Sequence, residues 1–211
     1  RLGFRTAVPE SIAHSASQYR HDFILDGEAM GGHYHAFDLL TIGPEDMRPL
    51  GFSVRYFRLR DMLRSFDHPF IHEVESFLSP GLMPIFTRLK TEGKEGVVFK
   101  NKHAPYIPGR PNSGGTQLKY KFCETASFIV TQINDKRSVM LILFDGAKVR
   151  SAGNVTIPPN HDMPKPGDVV ECRYLYAFKE SGSIYQPVFL GVRDDIQHTE
   201  CTTAQLKYKA P

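Results

Sequence analysis

The chain has 211 residues, 41% of them hydrophobic, enough for one large or two modest domains. Its formal net charge of +3 is only a weak signal for a nucleic-acid partner. No apolar run approaches the ~20 residues of a membrane span, and three widely spaced cysteines favour free thiols in a reducing cytoplasm, so membrane proteins and disulfide scaffolds are excluded.

Residues 1–50 are predicted to form short strands separated by turns at Gly31-Gly32 and Gly43-Pro44. The apolar run that begins at Phe23 ends in Asp26-Gly-Glu28, and an Asp-Gly pair by itself is usually only a turn. A second apolar run, His35–Leu40, has the pattern of a buried strand.

Two helices are predicted between residues 55 and 77, with an interruption at His68-Pro69, because proline ends the preceding helix. Four arginines crowd the first of these segments: Arg55, Arg58, Arg60 and Arg64. We favour a solvated helix face for them over phosphate contacts along a duplex.

Two strands that follow carry charges suited to a phosphate site. In Leu118–Phe122, Lys119 and Lys121 point to one face, and two ammonium groups there repel each other unless an anion lies between them. In Glu95–Lys100, the carboxylate of Glu95 beside phosphates predicts a divalent cation, Mg²⁺. A solvated sheet face is the alternative for the two lysines, and an exposed position is the alternative for Glu95.

Beyond a predicted boundary near residues 122–124 the pattern becomes all-β. Asp145-Gly146 predicts a hairpin, and a Pro-rich polar loop covers residues 158–167. Five short strands in under 90 residues suit a small closed barrel of the OB-fold type, and they are predicted at Ser127–Gln132, Ser138–Phe144, Ala147–Ser151, Asp168–Ala177 and Gln186–Val192.

Five of the segments described above, taken in chain order, resemble motifs of the ATP-dependent DNA ligases, which are covalent nucleotidyltransferases. The short spacing between the first two segments is similar to that of the compact phage and bacterial ligases. The segments are Phe23–Glu28, His35–Leu40, Glu95–Lys100, Leu118–Phe122 and Gln186–Asp195. The resemblance implies an α+β chain: a partial nucleotidyltransferase (ATP-grasp-like) domain with antiparallel sheets and helices over residues 1–123, then an all-β OB-fold barrel over residues 124–211. It further implies a cytoplasmic monomer that uses ATP (held as AMP) and Mg²⁺ on nicked duplex DNA.

The resemblance also implies roles for individual residues. Carried over position by position, it has Glu28 contact the ribose, Phe37 stack on adenine and Glu95 support the metal. Lys119 and Lys121 would hold the α-phosphate, and Lys100 and Arg193 would assist nucleotide binding. Arg1 would contact the 5′-phosphate of the nick. The candidate site residues are thus Glu28, Phe37, Glu95, Lys100, Lys119, Lys121, Arg193 and Arg1.

Two departures from the family pattern bear on mechanism. The family's nucleophile is a lysine in a Lys-x-Asp-Gly motif upstream of Asp26, and the 25 residues before Asp26 contain no lysine. Ile196 stands where the family motif that Gln186–Asp195 resembles, with the pattern Arg-x-Asp-Lys, has a lysine. The expectation is a ligase lacking its first strands and inactive in self-adenylation. The alternatives are an RNA ligase or capping-type nucleotidyltransferase, and a non-catalytic module that binds nicked DNA.

Overall fold

The computed structural model describes residues 6–77, 81–109 and 115–210. It divides into two compact units, the first made of Arg1–Leu82 with Val98–Lys119 and the second of Met83–Val97 with Tyr120–Pro211. The sequence-based boundary at residues 123/124 stays a prediction. Within the described ranges, no helix is both long enough and apolar enough to cross a membrane.

The first unit is built on a four-stranded sheet with helices packed against it. Its elements are α1 (Glu10–Ser17), β1 (Phe23–Met30), β2 (His33–Ile42), β3 (Glu45–Asp46), α2 (Phe52–Arg64) and β4 (Ile71–Glu73). β2 is central, since it pairs antiparallel with β1 and β3 and parallel with β4. The sequence pattern did not predict α1.

The turn predicted at Gly31-Gly32 joins β1 to β2. Both glycines have positive φ, +56° and +84°, which residues with a Cβ rarely adopt and which a tight hairpin turn requires. The hairpin pairs Met30 with His33 and continues to Phe23 opposite Ile42. This pairing brings the Asp26-Gly-Glu28 segment beside the middle of β2.

The second helix predicted before residue 77 is wrong. Residues Ile71–Glu73 form β4 instead, and the hydrogen bonds from Tyr34 N to Phe70 O and from Val74 N to Ala36 O, both 2.8 Å, fix it to β2. Ile71 is buried in the core of the unit, so tertiary pairing outweighs local helix propensity here. A third helix, α3 (Leu82–Thr91), follows where the sequence indicated no element.

The second unit contains a five-stranded antiparallel sheet that runs, in spatial order, through Val188–Arg193, Val169–Tyr174, Glu124–Asn134, Ser138–Asp145 and Lys148–Thr156. Its strands are β7 (Glu124–Asn134), β8 (Ser138–Asp145), β9 (Lys148–Thr156), β10 (Val169–Tyr174) and β13 (Val188–Arg193), with a small pair β11 (Tyr176–Ala177) and β12 (Ile184–Tyr185). The hairpin predicted at Asp145-Gly146 joins β8 to β9, with Gly146 at φ +61°. β9 and β13 are the edges of this sheet, and the described residues form no closed barrel.

Two further strands, β5 (Gly96–Lys100) and β6 (Gln117–Lys121), form a two-stranded sheet. The hydrogen bonds from Asn101 N to Thr116 O and from Phe122 N to Glu95 O lie at its two ends. Each strand contributes residues to both units. The segments predicted from their charge pattern are therefore strands, as expected.

Candidate functional site

A buried ion pair between Asp38 and Arg55 organises the first unit. Arg55 lies on α2, and its Nε and Nη2 donate to the Asp38 carboxylate at 2.8 and 2.9 Å. The same guanidinium donates to the backbone oxygens of Leu50 and Ala104. Both side chains are at most 2% exposed, so this pair joins α2, β2 and the segment after β5 away from water.

Lys100, at the end of β5, lies next to this pair. Its ammonium is 3.8 Å from the Asp38 carboxylate and donates to the backbone oxygen of Phe37 at 3.3 Å. It also lies over two aromatic rings, 4.2 Å from the centroid of Phe52 and 5.1 Å from that of Phe37. Burial lowers the pKa of Lys100, whereas the nearby carboxylates, Asp38 foremost, oppose that shift.

The third element of this arrangement is a hydrogen bond between Tyr106 and Asp26. The Tyr106 hydroxyl donates to Asp26 Oδ2 at 3.0 Å, and its ring lies 5.8 Å from the Arg55 guanidinium carbon. Burial and the negative charge of Asp26 raise the pKa of Tyr106 to about 12, so the hydroxyl stays a donor at neutral pH. Asp26 and Gly27, which lie within β1 rather than in a turn, are thereby tied to the loop after β5.

Phe37 and Glu28, the predicted adenosine contacts, both reach the surface of the first unit. Phe37 is half-buried and is absent from the apolar core that contains Ala36 and Leu39, which leaves its ring available for stacking. Glu28 is exposed, and its backbone pairs with His35 in β2. Phe37 and Lys100 are therefore the predicted residues that the first unit brings into direct contact.

Aromatic packing agrees with the predicted alternation for the aromatic residues at the end of β6. Tyr120 and Phe122 lie 5.3 and 4.9 Å from the ring centroid of Phe86 on α3, so they share one face of the strand. Lys119 and Lys121 are exposed, as are Leu118 and Tyr120. A shared face for the two lysines stays a prediction. Lys121 Nζ donates to Gln186 Oε1 at 2.5 Å.

Glu95, the predicted metal residue, is exposed in the second unit. It accepts a hydrogen bond from the hydroxyl of Tyr176, and burial, followed by the charge of Glu95, raises the pKa of that tyrosine. The described residues contain no group of three or more His, Cys, Asp or Glu arranged to hold a metal ion. Such a carboxylate fits a Mg²⁺ ion only where substrate phosphates supply the other ligands, which is the usual arrangement for that ion.

Arg193 lies at the end of β13 in the second unit, held by two carboxylates. It donates to both oxygens of Asp195 at 2.6 Å and to Glu171 at 3.2 Å. These bonds raise the pKa of Arg193 and lower that of Asp195. The Arg-x-Asp pair of Gln186–Asp195 is thus an internal bidentate ion pair. Arg1 lies outside the described residues.

Sequence reasoning missed the roles of Arg55, Asp38 and Tyr106. Arg55 was grouped with solvated arginines, which is wrong, because it is 1% exposed. The position of Arg55 in the sequence indicates its burial. It lies at the three- and four-residue intervals of one helix face, together with Phe52, Tyr56 and Leu59, and that face is buried. A charged residue at an apolar position of a helix is the pattern of a buried pair.

The string Leu206-Lys-Tyr-Lys209, which repeats the sequence of β6, has a structural role in the second unit. Lys207 Nζ donates to the backbone oxygen of Phe122 at 3.3 Å, and Tyr208 forms a bridge with Ala177. Gln205 receives a bond from Ser127 N at 3.0 Å. The repeated string is therefore packed against the five-stranded sheet rather than forming a free basic tail.

Comparisons with known proteins identify the fold but not a family. No family model and no curated protein matches the chain. Among solved structures it is similar to one from a structure–function study of Lig E DNA ligases and DNA binding with a minimal scaffold. That match has a TM-score of 0.56 and 22% identity, and it covers 76% of this chain and 63% of the other. A second structure, named Pmar-Lig_Pre, matches with a TM-score of 0.67 and 16% identity over 89% of this chain and 56% of its own.

The chain thus has a mixed α+β fold resembling that of DNA ligases at low sequence identity. It spans less than two thirds of the length of either structure.

Proposed function

We propose that this chain is the core of an ATP-dependent DNA ligase that seals nicks in duplex DNA. The observation that carries the proposal is the meeting of three ligase-like segments in the first unit. Asp26 from Phe23–Glu28, Phe37 and Asp38 from His35–Leu40, and Lys100 from Glu95–Lys100 lie around the Arg55 and Tyr106 side chains. The fold likeness to DNA ligases supports it independently.

The nucleotide would be ATP, held as AMP, and the residues of the first unit suit it. The half-buried ring of Phe37 offers a stacking face for adenine, and the exposed carboxylate of Glu28 is a hydrogen-bond acceptor for the ribose. Lys119 and Lys121 would hold the α-phosphate as point charges. Lys100 would reinforce the positive field while it remains fixed to Asp38.

Magnesium would be held by Glu95 together with phosphate oxygens, and it would supply charge neutralisation at the transferring phosphorus. Tyr176, which hydrogen-bonds Glu95, would orient that carboxylate. We assign the five-stranded sheet of residues 124–211 to an OB-type domain that contacts the duplex. Arg193 and Arg1 would contribute to triphosphate orientation and to nick binding, respectively.

Sealing of a pre-adenylated nick tests this function on the chain as it stands. In that substrate AMP is already joined to the 5′-phosphate, so the reaction does not need a nucleophilic lysine. The 3′-hydroxyl attacks the phosphorus, one phosphodiester bond forms, the bond to AMP breaks, and the hydroxyl proton passes to solvent. With Mg²⁺ we expect sealing of the adenylated nick, and no sealing of a plain nick supplied with ATP.

Matched variants make this test specific. Lys119→Ala and Lys121→Ala each remove a charge-assisted contact and should slow sealing by about tenfold to a hundredfold. Lys148→Ala, on an exposed hairpin of the second unit, should leave the rate unchanged. Failure to seal the adenylated nick under conditions where the chain binds it would refute the catalytic proposal.

The alternatives predict different outcomes in the same assay. A non-catalytic nick-binding module would bind nicked duplex in a salt-dependent manner without sealing it. An RNA ligase or capping-type nucleotidyltransferase would prefer a ribonucleotide substrate. The similarity of the fold to structures described as DNA ligases favours the DNA substrate.

A further inference from the structure

A groove in the first unit is lined mainly by basic side chains and lies outside the ligase-like segments. It has a volume of about 310 Å³ and lies where the last turns of α2 meet β4. Its lining consists of Arg60, Leu63, Arg64, His68, Ile71, His72 and Glu73. Four of these side chains are cationic or can become so, and one carries a negative charge.

The two arginines leave hydrogen-bonding capacity unused. Arg60 Nε is buried without a hydrogen bond to any described residue, and its nearest carboxylate oxygen, on Glu73, is 3.5 Å away. The Arg60 guanidinium carbon lies over the Tyr56 ring, 5.9 Å from its centroid. Arg64 follows one turn later, is exposed and forms no ion pair within the described ranges. Like charges four residues apart on a helix repel each other, so an anion between them would be stabilising.

The histidines face the groove with fixed orientations. His68 Nδ1 donates to the backbone oxygen of Ile71 at 2.7 Å, so its Nε2 is turned away from that contact. His72 Nε2 is 2.8 Å from His33 Nδ1, and the His35 ring centroid lies 5.6 Å from that of His72. Burial, followed by His33, His35 and His68, lowers the pKa of His72. A second proton in this cluster therefore needs a compensating negative charge.

We propose that this groove is a binding site for a tetrahedral oxyanion of the phosphate class, with Arg60 and Arg64 as the primary ligands and His68 and His72 as secondary donors. Guanidinium groups present paired donors that match phosphate oxygens, and imidazolium groups add charge-assisted bonds. The ion pair of Arg60 with Glu73 is the contact that the anion would displace or share. This site is independent of the proposed ligase function, because none of its residues belongs to the ligase-like segments.

Titration of the full chain with inorganic phosphate, followed by the histidine and arginine side-chain NMR signals, tests the proposal. The signals of His68 and His72 and of the two groove arginines should shift together and saturate. Arg64→Gln should weaken binding by about tenfold, since it removes one charge-assisted contact. Arg58→Gln is the matched control: it makes the same charge change on an exposed α2 position outside the groove, whose ion pair with Glu45 is 3.9 Å long.

The pH dependence of anion binding is best measured with sulfate, because the charge of sulfate is constant across the range from about pH 5 to 8 in which histidines titrate. Its affinity should rise as the pH falls and His72 becomes protonated beside His33, His35 and His68, with Arg60, Arg64 and Glu73 as the fixed charges of the groove. His72→Gln removes the group that gains the proton, so it should reduce that rise while leaving phosphate binding at high pH intact.

A short single-stranded oligonucleotide distinguishes the two sources of such a group. If the oligonucleotide competes with phosphate and loses affinity in Arg64→Gln, the ligand is the nucleic-acid backbone; if phosphate alone binds, it is a free anion. The proposal is overturned if phosphate causes no saturable shift, or if Arg58→Gln and Arg64→Gln weaken binding equally, which would show general charge attraction.

Discussion

Breaking the Asp38–Arg55 pair from one side should strongly destabilise the first unit. Arg55→Met preserves the apolar stem of the side chain but removes two bonds to the Asp38 carboxylate and two to backbone oxygens. Loss of one partner from a buried pair costs about 3–5 kcal/mol. Because the Lys100 ammonium remains 3.8 Å from Asp38, we place this variant near the lower end, about 3 kcal/mol.

Asp38→Asn should be the more damaging change. It leaves the buried Arg55 and the half-buried Lys100 without their carboxylate, and we expect a cost near the upper end, about 5 kcal/mol. The double variant Asp38→Asn/Arg55→Met combines the same two substitutions and removes both charges together, so it should cost less than the two single losses added. A double-mutant cycle of this kind isolates the energy of the pair.

Urea unfolding followed by circular dichroism, with amide hydrogen exchange to assign the loss to α2 and β2, measures these effects. Arg58→Met is the control, since Arg58 is exposed and its ion pair with Glu45 is 3.9 Å long, so it should cost less than about 1 kcal/mol. The reasoning is refuted if Arg55→Met is no more destabilising than Arg58→Met, or if the double variant costs the full sum of the single ones.

Three further predictions follow from single contacts. Tyr106→Phe should lower the free energy of unfolding by about 1–2 kcal/mol, because it removes the hydrogen bond to Asp26. Since the pKa of Tyr106 is raised to about 12, this stabilisation is fully present below the unfolded pKa near 10 and is lost as the pH rises through about 12. Urea unfolding across that pH range would detect the loss. Lys119→Ala and Lys121→Ala should weaken AMP binding by about tenfold, measured by calorimetry, whereas equal losses in Lys148→Ala would contradict a phosphate role. Gly146→Val should lower the melting temperature, because φ is +61° there and a β-branched residue is strained by about 1–2 kcal/mol, while Gly146→Asn should be tolerated.

Local chemistry accounts for the elements that the sequence predicted correctly. The glycine pair at Gly31-Gly32 and the pair Asp145-Gly146 specify hairpin turns because few other residues adopt positive φ. Alternation predicted Tyr120 and Phe122 on one face, and both rings pack against Phe86; that pattern depends only on the two-residue period of a strand. The α+β character and the five-stranded sheet after residue 124 followed from the same signals.

Tertiary structure alone decided the features that depend on partners distant in sequence. Ile71–Glu73 forms a strand because the edge of β2 was available to pair with it, whereas the local sequence predicted a helix there. Arg55 is buried because Asp38, 17 residues earlier, and the Ala104 carbonyl, 49 residues later, together satisfy its donors. The sequence by itself determined turns, alternation and the order of the charged segments; which charges are buried together was determined only when the chain brought distant carboxylates, carbonyls and rings into contact.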